Sequence, residues 1–109
     1  MKLSTTYAPG ISVVSIRGSL DFFTSPSLQR AVATLLEDGS EHIVFDLSNL
    51  DHLDRAGIEV LVGTATQMGY ADRRVSLVCG SGPVRSALER SHADLRTVGA
   101  LAELDTRAA

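Results

Sequence analysis

Apolar positions recur along the chain in two rhythms that alternate from one end to the other. Leu3 to Tyr7 reads as an edge strand, rich in Thr and followed by a Pro9-Gly10 turn signal. Ile11 to Ile16 is β-branched and stops at Gly18. The short Pro-Gly connection predicts an antiparallel hairpin from these two strands. Ser25 followed by Pro26 has the form of a helix cap with proline at the first helical position. Leu28, Ala31, Val32, Leu35 and Leu36 then repeat at helical spacing, and Gly39 ends the helix.

Ile43 to Leu47 is a near-continuous apolar run, as expected of a strand covered on at least one face. A loop from Ser48 to Leu53 leads to Asp54, the N-cap of a second helix marked by Ile58, Leu61, Val62 and Ala65 and ending near Gly69. Val75 to Cys79 is the next strand. Gly80-Ser81-Gly82-Pro83 repeats the cap-then-proline form, and Val84, Ala87 and Leu88 mark a third helix. Leu95 to Val98 reads as a last short strand, Ala100 to Leu104 as a terminal helix, and the final four residues as a fraying end. The order is ββαβαβαβα, an α/β fold with a mixed, mostly parallel sheet of about five strands and about four helices. Residues 1–109 form a single domain, with no linker and no repeat. Functional loops in such sheets gather at the carboxyl ends of the strands, here Gly18–Ser25, Ser48–Asp54 and Gly80–Pro83.

Composition narrows the chemistry. The chain is 44% hydrophobic and 21% charged, which suits a globular core and not a disordered chain. A formal net charge of −3 gives no broad basic surface for nucleic acid. A single cysteine, Cys79, makes neither an internal disulfide nor a multi-cysteine zinc site, and its place at the end of an apolar strand predicts an inert core thiol. No secretory signal and no membrane span is read, so the expected setting is the cytoplasm, without membrane insertion.

No enzyme constellation stands out. Gly80-Ser81-Gly82 lacks the third glycine of a nucleotide loop and reads as a capping turn. His42 and His92 read as surface or boundary residues. His52 sits in Asp51-His52-Leu53-Asp54, a polar loop ending in a cap, with no second cluster to complete a metal site. Asp46 ends a central strand without the acidic company a magnesium site needs. No catalytic residue, metal or cofactor is expected. What remains is the strand-loop-helix junction from Asp46 to Gly57. A helix N-terminus offers free N–H groups to a carboxylate or a phosphate. Gly57 in the first turn costs about 1 kcal/mol against Ala, which suggests either a contact surface or close packing within the fold.

At this junction the sequence resembles the STAS domain family, in its anti-sigma-factor antagonist branch. The residues that carry the resemblance are Gly18-Ser19-Leu20-Asp21, Thr24 and Pro26, then Val44 to Ser48, and Leu53-Asp54-Arg55-Ala56-Gly57-Ile58-Glu59-Val60-Leu61. The likeness runs over about residues 3–105. It implies a regulatory binding domain without catalysis of its own. Its implied partner is an anti-sigma factor that is also a serine kinase of the GHKL type, and its binding frees a sigma factor for transcription. In the family the kinase phosphorylates a serine in an Asp-Ser-Ser-Gly block, which breaks the complex. Here the block reads Asp54-Arg55-Ala56-Gly57, so Ala56 stands at the phosphoserine position and accepts no phosphoryl group. The resemblance therefore implies an antagonist that is not switched at the usual serine. The alternative is a stand-alone domain docking on the ATPase of a membrane lipid transporter. A weaker third reading is a small-molecule or nucleotide sensor, which needs a pocket at the Gly80–Gly82 turn.

The expected partner surface comprises Asp21, Phe22, Phe23, Thr24, Ser48, Asp54, Arg55, Ala56 and Gly57. Two adjacent aromatics in one loop do not both point inward easily, so one exposed Phe beside Asp54 suits an interface. The competing reading has both rings covering the bottom of the first helix. The expected oligomeric state is a monomer or a weak homodimer, because the first strand is a free edge.

Overall fold

The computed structural model describes residues 1–80 and 82–90 in full and 96–98 by their backbone. Five strands, β1 (Lys2–Ala8), β2 (Ile11–Leu20), β3 (His42–Leu53), β4 (Arg74–Val78) and β5 (Arg96–Val98), lie in the order β1-β2-β3-β4-β5. β1 and β2 form the antiparallel hairpin; β2 through β5 are parallel. Among the described residues there are three helices, α1 (Ser25–Glu37), α2 (Arg55–Tyr70) and α3 (Pro83–Arg90). Parallel crossovers stepping one way through a sheet are right-handed, which puts their helices on one face. Consistent with this, Leu28 of α1, Leu61 of α2 and Val84 of α3 share one core cluster with Ile16, Phe45 and Leu77 of the strands. A smaller cluster, Val44 and Val78 with Ile11 and Val13, holds the opposite face. The chain has a mixed, mostly parallel α/β fold.

Local chemistry explains most boundaries. α1 buries Leu28, Val32 and Leu35, the expected stripe. Gly39, at φ +77°, lets the chain turn back so that its N–H and that of Ser40 reach the Leu36 and Leu35 carbonyls. α2 turns a different face inward from the one expected: Gly57, Val60, Leu61, Thr64 and Met68 are buried, while Ile58, Val62 and Ala65 are half-buried. The polar member of that stripe is satisfied within its own helix, since the Thr64 hydroxyl donates to the Val60 carbonyl at 2.8 Å.

Four expectations are corrected. β2 does not stop at Gly18; it runs to Leu20 across two register shifts. The expected loop from Ser48 to Leu53 is strand, because this stretch pairs with the end of β2, Gly18 with Leu50 and Leu20 with Leu53. β4 pairs with β3 only from His42 to Asp46. Beyond that point Ser48, Asn49, Asp51 and His52 are exposed, so the sequence there looks like a loop although its backbone is a ladder. α1 is capped at Thr24, and Ser25 is its first residue, not its cap. His42 is no surface residue: it is buried on β3, its Nε2 2.8 Å from the buried Ser76 Oγ. The expected terminal helix from Ala100 to Leu104, together with Ser81 and His92, lies outside the described residues.

Candidate functional site

The site is the end of the sheet where β2 and β3 run out side by side. β2 finishes at Leu20 and β3 at Leu53, paired to each other. The β2–α1 loop and the β3–α2 junction therefore leave from adjacent points. The Asp54 N–H donates to the Leu20 carbonyl at 3.2 Å, which continues the ladder by one step.

Asp54 then holds both segments. Its Oδ1 accepts from the Gly57 N–H at 3.1 Å, the N-cap bond of α2. Its Oδ2 accepts from the Phe22 N–H at 3.3 Å, in the neighbouring loop. One carboxylate thus fixes the start of a helix and the path of a loop.

That loop is built around Asp21 and Thr24. Asp21 Oδ1 accepts from the Phe23 N–H at 2.9 Å and the Thr24 N–H at 3.0 Å. The Thr24 hydroxyl accepts from the Asp21 N–H at 2.9 Å and donates to the Ser19 carbonyl at 2.9 Å. The Thr24 N–H, more than any other group, holds the Asp21 carboxyl below its ordinary range. These bonds hold the backbone of Phe22 and Phe23 in one tight turn. Phe22 is 71% exposed and Phe23 86% exposed, with the rings edge-to-face at 5.6 Å between centroids. The expectation of one exposed ring understates the case, and neither covers the bottom of α1.

Arg55, Ala56 and Gly57 form the first turn of α2. Arg55 is exposed and pairs with Glu59 one turn on, at 3.2 Å, a contact worth little in water. Ala56 is half-buried beside the cap. Gly57 is buried, and a Cβ built on it would stand 2.7 Å from Leu20 Cγ, 2.8 Å from the Leu20 carbonyl oxygen and 2.8 Å from Leu53 Cδ1. Its close approach is therefore to the ends of β2 and β3, within the fold. Ser48 is not brought to the others. Six residues of β3, about 20 Å of extended chain, separate it from Asp54, and its hydroxyl donates to Asp46 Oδ1 at 2.6 Å.

The residues that sequence reasoning missed are Ser19 and Leu20. Each works through its backbone carbonyl, which no side-chain pattern reveals. Among the described residues no group of three or more His, Cys, Asp or Glu could hold a metal ion, and no helix is long and apolar enough to cross a membrane. Cys79 is buried, and burial raises its thiol pKa, opposite to what a reactive thiolate needs.

The chain is similar in sequence and in fold to known proteins. The chain is similar to the anti-sigma-B factor antagonist of Staphylococcus aureus, with 26% identity over 78 residues, 72% of either chain. It is 32% identical over 62 residues to the anti-sigma-F factor antagonist RsfB of Mycobacterium tuberculosis, 57% of this chain and 51% of that one. The crystal structure of an anti-sigma factor antagonist from Mycobacterium paratuberculosis has the same fold, with a TM-score of 0.89 at 24% identity over 97% of this chain and 92% of that one. The STAS domain model itself matches residues 2–102. With that model spanning nearly the whole chain, the chain belongs to the STAS domain family.

Proposed function

We propose that this protein is an anti-sigma-factor antagonist, a binding domain without catalysis that takes up an anti-sigma factor in the cytoplasm and so releases a sigma factor for transcription. The names of its relatives support the class of partner. The observation that carries the reading to particular residues is the exposed Phe22–Phe23 pair, tied by Asp54 to the N-terminus of α2. Exposed aromatics on a rigid turn are what interfaces use as anchors, because little side-chain entropy is lost when they are covered. Asp21 and Thr24 hold the turn, and Arg55 and Ala56 extend the surface along α2. Gly57 shapes it from below, and Ser48 lies too far away to share it.

The proposed partner is an anti-sigma factor of the GHKL serine-kinase type. Ala56 carries no hydroxyl, so that kinase has no acceptor at the usual position. Phosphate there would add nearly two negative charges to the contact surface and break the complex. With alanine the antagonist stays in its binding form.

The test is affinity capture from native extract with partners identified by mass spectrometry, wild type beside Phe22→Asp and Ala56→Glu. Wild type should recover an anti-sigma factor. Both variants should lose it while their circular dichroism stays that of the parent. For an anchor of about 2 kcal/mol the loss is roughly thirtyfold in affinity. Recovery of a transporter ATPase, or no anti-sigma factor with wild type, overturns the reading. Undiminished binding by Phe22→Asp overturns the assignment of the surface.

A further inference from the structure

β1 is the outer strand of the sheet, with β2 on one side. Its register against β2 runs without a break from Lys2↔Arg17 to Ala8↔Ile11. The two-residue turn at Pro9-Gly10 closes directly on the Ala8↔Ile11 pair, so that pair exchanges both of its backbone hydrogen bonds. Alternation then sets the rest of the strand. The N–H and C=O groups of Ala8, Thr6, Ser4 and Lys2 face β2, and those of Tyr7, Thr5 and Leu3 face away. Six backbone groups thus line the outer edge.

Natural sheets guard such an edge with proline, a bulge or an inward charge. β1 reads Lys-Leu-Ser-Thr-Thr-Tyr-Ala, with none of these and its single charge at the far end. Ser4, Thr6, Tyr7 and Ala8 are exposed.

We infer that β1 is a self-association edge, and that two copies of this chain pair through it, antiparallel, about a two-fold axis at Thr5. Only this register uses all seven residues and sets outward groups against outward groups. Thr5 meets Thr5, and Leu3 meets Tyr7 twice, giving six backbone hydrogen bonds. The side chains of Leu3, Thr5 and Tyr7 share the face that bears the helices, since Leu3 packs on the main core cluster. Each Tyr7 ring, 65% exposed in the single chain, comes beside the half-buried Leu3 of the other copy. Aromatic and aliphatic neighbours of this kind stabilise paired strands. Charge agrees with the register. Lys2 falls opposite Ala8, so the strand's one charge never meets its like. Two seven-residue strands make a contact smaller than the roughly 1,200 Å² of a standard interface, so the dimer is weak and depends on concentration. The inference stands apart from the proposed function, because it uses neither the Phe22–Phe23 loop nor α2.

Sedimentation velocity over the micromolar to millimolar range is the test. The average mass should climb from 11.6 kDa toward twice that value. Thr5→Pro removes an outward donor and leaves the ladder to β2 intact, so it should stay monomeric with an unchanged circular dichroism spectrum. A second measurement reads the register. In a Cys79→Ala background, Thr5→Cys should oxidise to a cross-linked dimer. Lys2→Cys should not, because the two Lys2 positions stand about 20 Å apart along the strands. A monomer at every concentration, a dimer untouched by Thr5→Pro, or equal cross-linking at both positions overturns the inference. If Thr5→Pro fails to fold, the cross-linking pair decides alone.

Discussion

Two glycines on α2 make opposite predictions for the same substitution. At Gly57 an added Cβ meets three atoms inside 3.0 Å, and one of them is the Leu20 carbonyl oxygen. That oxygen is held at the end of β2 by its hydrogen bond from the Asp54 N–H, so it does not swing aside. Overpacking a tight site costs about 1–3 kcal/mol, and the backbone contact places Gly57→Ala toward the upper end. Replacing glycine in a helix returns at most about 1 kcal/mol. The net loss is about 1–2 kcal/mol, or roughly 4–8 °C in Tm for a domain of this size. At Gly63, six residues further along the same helix, nothing lies within 4 Å of the added Cβ. Gly63→Ala keeps the helix gain alone, so it should stabilise by about 0.5–1 kcal/mol. Urea unfolding followed by far-UV circular dichroism measures both. A Gly57→Ala variant as stable as the parent, or a Gly63→Ala variant destabilised to the same degree, would refute the argument that close packing accounts for Gly57.

Asp54→Ala removes the N-cap bond and the bond to the Phe22 N–H together, and should cost about 1–2 kcal/mol in urea unfolding, while Asp54→Asn keeps an acceptor and should lose less than half of that. Asp21 has a carboxyl pKa lowered in the folded state, first by the Thr24 N–H. Its contribution to stability is therefore full above the unfolded value near 4 and fades as pH falls through the folded value. Acid titration of stability in Asp21→Asn should lack that component, and an acid limb identical to the parent's would show that the Asp21 bonds do not favour the charged form.

The β-branched runs, the Pro-Gly turn, the Ser25-Pro26 helix start and the Asp54 cap are local signals. Each reflects what one short segment does with its own backbone, and these read through to β1, the start of β2, α1 and α2. Asp54 was legible as a cap because a carboxylate three residues before an open N–H has one obvious use. The resemblance to the STAS family, carried by that same block, pointed to the end of the sheet where β2 and β3 run out together.

Tertiary structure decided the rest, wherever the partner of a residue lies far along the chain. Ser48 to Leu53 looks like a loop because its polar residues face water, yet it is strand because the end of β2 pairs with it. Gly57 left two meanings open in the sequence, and the packing of Leu20 and Leu53 beneath it chose one. His42 looked like a boundary residue until β4 supplied Ser76. Phe22 and Phe23 are both exposed on a turn whose backbone is fixed by Asp21, Thr24 and, from across the sheet, Asp54. Asp54 joins two loops separated by more than thirty residues, and only the parallel pairing of β2 with β3 brings them within one hydrogen bond. Local backbone preference is written residue by residue in the sequence, whereas the meeting of distant segments is set by the packing of the whole sheet and its helices.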